Sequence, residues 1–167
     1  MPNVSIRKAD LTDVSSIQTI AQESWADVYQ GIIPASVQHQ ALEAWYSEAA
    51  LNSAVTALET ALLVAESSEK VIAFAQLVFL PNARASLTRI YVLPEYQRHG
   101  VGSKLFAALV QEAKRRSVCR ISVSVAAVNR LARTFYEKLA FVSRGEKHLD
   151  LFGFPLTEAT YELAFSA

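Results

Sequence analysis

Cysteine is almost missing from this chain of 167 residues: Cys119 stands alone, so no intramolecular disulfide can form. A domain of this length buries enough apolar surface to fold without such staples. The lone cysteine reads as a small buried hydrophobe and fits a reducing compartment. Histidine is also scarce. His39, His99 and His148 are scattered without ligand spacing, so no metal is expected. Net charge is lacking too, with 16 Lys+Arg against 16 Asp+Glu. That balance argues against a nucleic-acid partner, which calls for a basic stripe, and it shows no pull toward anionic membranes. No apolar run approaches the roughly 20 residues that cross a bilayer. The segment Met1 to Arg7 has no apolar core of the kind a secretion signal needs. These absences predict a cytoplasmic protein of one domain, residues 1–167, with no membrane partner.

Hydrophobic periodicity then orders the chain. Val4 to Lys8 alternates as a short strand. Asp10 resembles a helix N-cap, with Asp13 in the first turn, and Val14, Ile17, Ile20, Ala21 and Trp25 recur at helical spacing. Gly31 and Pro34 break the chain before a second helical stretch, about 35–58, in one or two pieces. Ala61 to Glu66 and Val71 to Leu80 flank a polar turn and read as a hairpin; Ala85 to Leu93 is the next strand. Helical spacing returns from Val101 and ends in Lys114-Arg115-Arg116. Arg120 to Ala126 alternates, Asn129 to Leu139 is helical, Phe141-Val142 opens another strand, and Tyr161 to Phe165 is the last. Strand–helix–strand alternation in the second half predicts parallel pairing there, and the hairpins predict antiparallel pairing elsewhere.

The segment from Ile90 to Leu105 carries the chemistry. An apolar strand stops at Pro94, a loop follows with Gln97, Arg98 and His99, and two glycines lead into a helix. Helix starts leave amide N–H groups unpartnered and bear partial positive charge. Glycine lets a large anion approach that backbone. The result is a phosphate cradle, with Arg98 as fixed charge and Ser103 and Lys104 as further donors. The spacing is neither that of a P-loop nor that of a dinucleotide fold. A nucleotide-binding protein stays open as a minor alternative.

Gln97-Arg98-His99-Gly100-Val101-Gly102 resembles the Gln/Arg-x-x-Gly-x-Gly/Ala signature of the GNAT superfamily of N-acetyltransferases. The resemblance implies an α/β (α+β) fold with a mixed, mostly antiparallel sheet of six to seven strands and helices on both faces. It implies acetyl-CoA as co-substrate, its pyrophosphate on the loop Gln97–Lys104 and its pantetheine arm on the backbone of Ile90, Tyr91 and Val92. It further implies a bulge in that strand and a splay from its neighbour. Asn129-Arg130-Leu131-Ala132-Arg133-Thr134-Phe135-Tyr136-Glu137-Lys138-Leu139-Ala140-Phe141 resembles the family's second cofactor motif. By that likeness Asn129, Ala132, Phe135, Tyr136 and Lys138 join the cofactor set, and Tyr136 protonates the departing thiolate, a task suited to a phenol neutral at pH 7. Phe135 by itself reads as a core aromatic. Ala140 departs from the family's glycine; a left-handed turn there strains alanine by roughly a kcal/mol.

Ser24-Trp25-Ala26-Asp27-Val28-Tyr29-Gln30-Gly31-Ile32-Ile33-Pro34 resembles a segment of a GNAT branch that includes polyamine acetyltransferases. Trp25 and Tyr29 share a helical face and, with Glu23, are the expected acceptor-site residues; core packing of the two rings stays open. No carboxylate sits on the strand before the cofactor loop, so the general base is open among Glu23, Asp27, Glu66 and a water chain. The expected reaction is acetyl transfer from acetyl-CoA to a small-molecule primary amine, without metal, by a monomer or homodimer. A protein N-terminal or lysine acetyltransferase, or a silent CoA-binding regulatory module, is the alternative.

Overall fold

Seven consecutive buried residues, Val71 to Leu77, set the architecture, because a strand buried at every position needs cover on both faces. The computed structural model describes residues 3–166; Met1, Pro2 and Ala167 of the expected 1–167 span lie outside the described residues. The elements run β1 (Val4–Lys8), α1 (Val14–Tyr29), α2 (Ala35–Tyr46), α3 (Glu48–Thr56), β2 (Thr60–Ser67), β3 (Lys70–Leu80) and β4 (Arg84–Val92). Then follow α4 (Val101–Arg115), β5 (Arg120–Ala126), α5 (Arg130–Lys138), β6 (Val142–Leu151) and β7 (Phe154–Ala164). One sheet has the order β1-β2-β3-β4-β5-β7-β6. Every pair is antiparallel except β4–β5. Helix α1 packs on β3 and β4, while α4 lies across β1 to β4. This is the mixed, mostly antiparallel sheet that the sequence resemblance implied.

The parallel expectation holds for β4 and β5 but not for the last unit. Strand β7, not β6, lies beside β5. The reason is a tight turn at Phe152 and Gly153, both at positive φ, where Asp150 Oδ1 accepts the Gly153 amide at 2.7 Å. That turn makes β6 and β7 a hairpin whose second strand pairs along its length with β5. Strand β7 begins at Phe154, well before the expected Tyr161, because the tight turn sets Phe154 opposite Leu151; Pro155 is tolerated so near the strand's start.

Asp10 caps a single 3-10 turn, Leu11–Asp13, through a capping box with Asp13, and α1 starts only at Val14. Asp13 is buried and accepts two bonds from Arg7, at 2.8 and 2.9 Å. Arg7 also donates to Glu66 at 2.6 Å. Glu66 therefore joins β1 to β2. Cys119, expected to be buried, is partly exposed.

Ala140 ends α5 in the left-handed conformation, φ 66°. The amides of Ala140 and Phe141 bond the Glu137 and Tyr136 carbonyls at 3.1 and 3.0 Å, closing the helix end. The side chain is exposed, so its removal loses no core contact. Ala140→Gly is expected to stabilise the fold by about 0.5–1 kcal/mol, read by denaturant unfolding. A loss of stability would show the strain assignment wrong.

Candidate active site

The slot begins where β4 loses its regular pairing. Gln76 faces Arg89 and Leu77 faces Leu87, so Thr88 is an extra residue, a bulge in β4. On the other side β4 pairs with β5 only over Arg84–Ser86. Beyond it, the edge from Leu87 to Val92 has no strand partner on that side, which is the implied bulge and splay. Gln97 Nε2 donates to the Val92 carbonyl at 3.1 Å and ties the following loop to the end of this edge.

That loop curls through two left-handed residues, Arg98 (φ 63°) and Gly100 (φ 78°), into the start of α4. Lys104 N donates to the Gly100 carbonyl at 3.0 Å. The amides from Arg98 to Ser103 donate to no backbone carbonyl among the described residues. Successive free amides at a 15-residue helix start form a concave donor surface for an anion. Gly100 faces open space: a Cβ there would meet nothing within 4 Å. Arg98, His99 and Ser103 are exposed beside it, and Val101 is buried beneath. Lys104 Nζ instead reaches the Val4 carbonyl at 3.3 Å.

Gly102 has a different role from Gly100. Its φ is ordinary, but an added Cβ would lie 3.2 Å from the Phe135 ring and 3.8 Å from Val92. The glycine thus lets α5 close against α4. Asn129 caps α5, its side-chain oxygen accepting the Ala132 amide at 3.1 Å. Three helical positions, Asn129, Ala132 and Tyr136, then face one cavity. Phe135 touches Gly102 and stands edge-on to Tyr136, 5.4 Å between centroids.

The cavity holds about 170 Å³ between α1, α2, the open edge of β4, α5 and the β6–β7 hairpin. Its lining includes Trp25, Tyr29, Trp45, Tyr46, Ile90, Tyr91 and Tyr136. Trp25 stacks edge-on with Tyr29 at 4.9 Å and with Trp45 at 6.0 Å. Trp45 meets Phe152 of the hairpin turn, also at 6.0 Å. Tyr136 is 5% exposed, and burial raises its pKa well above the ordinary phenol value. Burial also raises Tyr29, Tyr46 and Tyr91. These phenols are protonated and neutral near pH 7.

Trp25 and Tyr29 therefore line the cavity, while Glu23 is on the exposed side of α1 and is not brought to it. Asp27 is exposed and Glu66 is held by Arg7, so neither reaches it. Lys138 is exposed at the far end of α5. Sequence reading missed Trp45, Tyr46, Arg89 and Glu158, all in the lining. Glu158 is the cavity's sole carboxylate, 3.4 Å from Lys147. The signals were faint. Arg89 is a charge inside a strand, and Glu158 lay in a stretch not read as strand.

Comparison with known proteins fits this geometry. The model of the acetyltransferase (GNAT) family matches residues 18–141. A spermidine N(1)-acetyltransferase of Thermoplasma acidophilum is 29% identical over 83% of this chain and 88% of its own. A ribosomal protein bS18-alanine N-acetyltransferase of Escherichia coli is 40% identical over a shorter stretch, 34% of this chain and 38% of its own. The crystal structure of PaiA N-acetyltransferase from Thermoplasma acidophilum in complex with coenzyme A superposes with a TM-score of 0.81 at 24% identity, over 98% of this chain and 99% of that one. No helix among the described residues is long and apolar enough to cross a membrane. The free amides of the loop and the open strand edge suit a diphosphate followed by an amide-bearing arm. With the family model covering most of the chain, this protein belongs to the GNAT family of acetyltransferases and is an acetyl-CoA-dependent N-acetyltransferase.

Proposed function

We propose that the chain acetylates the primary amine of a small molecule held in the aromatic cavity. The observation that carries this reading is the cavity itself: small and ringed by aromatic side chains, among them Trp25, Tyr29, Trp45 and Tyr46. A relative that acetylates spermidine supports a small amine.

The amides of Arg98 to Ser103 and the exposed Arg98 hold the diphosphate of the donor, and the free edge of β4 aligns its arm. The bound thioester supplies the activated acetyl group. The acceptor nitrogen must be neutral to attack. Glu158, as the carboxylate in the lining, accepts its proton, directly or through water. A C–N bond forms as the C–S bond breaks, Tyr136 gives its phenol proton to the departing sulfur, and the proton that the nitrogen sheds on becoming an amide returns to the phenolate, directly or through water. Tyr136 has no hydrogen-bond partner among the described residues that would compete for that proton.

A thiol-release assay with a panel of small amines and short peptides tests the reading. Saturable release with small amines, and far less with peptides, is expected; the reverse order would favour a protein acceptor. Glu158→Gln is expected to lower kcat/KM at pH 7 by about tenfold, with the deficit shrinking as pH approaches the amine's own pKa. A deficit independent of pH would exclude Glu158 as proton acceptor.

A further inference from the structure

Three buried side-chain polar atoms have no hydrogen-bond partner among the described residues: Ser24 Oγ, Trp25 Nε1 and Arg89 Nη1. Two of the three belong to residues that line the aromatic cavity. Trp25 Nε1 lies beside the Tyr46 and Tyr91 hydroxyls, which can accept from it, so the donor left over is Arg89 Nη1. A buried charged donor without an acceptor is costly, and one on a residue that lines a cavity calls for an acceptor brought by a ligand.

Arg89 is held for such a role. Its Nη2 donates to the Trp45 carbonyl at 2.5 Å, and its guanidinium lies 4.6 Å from the Tyr46 ring centroid. Those contacts fix the plane of the group and leave Nη1 over. No carboxylate of the chain lies within ion-pair distance of it among the described residues. Burial lowers the Arg89 pKa, which fits a cation short of a counter-charge.

The charge balance of the cavity points the same way. Its lining carries one guanidinium, Arg89, and one carboxylate, Glu158, which already faces Lys147 at 3.4 Å. A polyamine with several ammonium groups would find a single shared carboxylate and a buried arginine of its own sign. A zwitterion finds a partner for each end.

We infer that the acceptor is an amino acid or a similar amine bearing a carboxylate, with Arg89 binding the carboxylate while the amine faces Glu158 and Tyr136. This rests on the small-amine reading above and narrows it. Rejection of the uncharged analogue follows from the same donor, because a carboxamide lacks the charge that Arg89 needs.

The chain has two tryptophans, and both line this cavity, so their fluorescence reports its occupancy. The wild-type protein is titrated with L-leucine, L-phenylalanine, the two matching carboxamides and spermidine, and thiol release from acetyl-CoA is measured with the same five amines. The expected result is tighter binding and higher kcat/KM for the acids than for their amides, by about tenfold to a hundredfold, with spermidine poorest. In Arg89→Gln the advantage of acid over amide disappears while the response to the amides persists, which a merely structural role would not produce.

Equal use of acid and amide, preference for spermidine, no fluorescence response to either acid, or retained discrimination in Arg89→Gln would overturn the assignment. Thiol release without preference for the acid would sink this inference and leave the small-amine reading standing. Saturable fluorescence changes with the acids but no thiol release from any of the five amines would overturn the small-amine reading and the acceptor assignment with it, leaving only a carboxylate site at Arg89. Should Arg89→Gln fail to fold, the acid-against-amide comparison on the wild-type protein decides.

Discussion

Tyr136→Phe is expected to lower kcat by about 10²- to 10⁴-fold while acetyl-CoA binds as before, the range typical of losing a positioned general acid. The substitution removes one oxygen and keeps the ring. The ring packs between Phe135 and Phe141, each with centroids 5.4 Å away, and near Tyr161, so α5 stays seated. No protein hydrogen bond to the hydroxyl is lost among the described residues, so little stability goes with it. The loss therefore falls on the step in which sulfur takes a proton. Stopped-flow binding and steady-state thiol release together separate the two effects. An unchanged kcat would remove Tyr136 from the chemistry.

The pH profile gives the same assignment a second check. Burial is the main cause of the raised Tyr136 pKa, with Tyr91 and Tyr29 adding to it. An acid must be protonated to act, and a raised pKa keeps it protonated beyond the ordinary phenol value of about 10. The wild-type kcat should therefore show no alkaline fall from this group up to pH 10. A falling limb centred nearer pH 8 would contradict a buried phenol as the donor.

Much of this site was legible in the residues because its parts are local. A proline, two glycines and an amphipathic helix specify the loop within ten positions, and Asn129, Ala132 and Tyr136 share a face by helical spacing alone. Trp25 and Tyr29 reach the cavity for the same reason. What sequence reading missed depends on pairings distant along the chain. Arg89 is about 44 positions from Trp45, whose carbonyl it bonds. Glu158 arrives through the pairing of β7 with β5, an arrangement that strand–helix–strand alternation does not announce. The position of β7 follows from the turn at Phe152-Gly153, where the non-glycine residue adopts positive φ and gives no glycine-pair signal. Glu23 failed for a geometric reason: two residues from Trp25 on a helix is about 200° away, hence on the opposite side.

Gly100→Val separates the two glycines that one motif places side by side. At φ 78° a β-branched residue is a true outlier, so the loop must change course. Nothing lies within 4 Å of the added Cβ, so the cost is conformational and the site is exposed; global stability should fall by only about 1–2 kcal/mol. The amides from Arg98 to Ser103 would no longer converge. Losing one charge-assisted amide bond to a phosphate, worth about 1.5–3 kcal/mol, raises the Kd for acetyl-CoA about 10- to 100-fold. A pantetheine thioester without phosphates should bind almost as in the wild type, because the β4 edge is untouched. Gly102→Val acts elsewhere, since its Cβ lies 3.2 Å from the Phe135 ring and displaces that ring. That variant should lose stability and turnover together, through the shift of Phe135 against Tyr136. Calorimetric titration of both variants with acetyl-CoA and with the pantetheine fragment distinguishes the two mechanisms. If Gly100→Val bound acetyl-CoA at native affinity, the diphosphate would have to sit somewhere other than the start of α4.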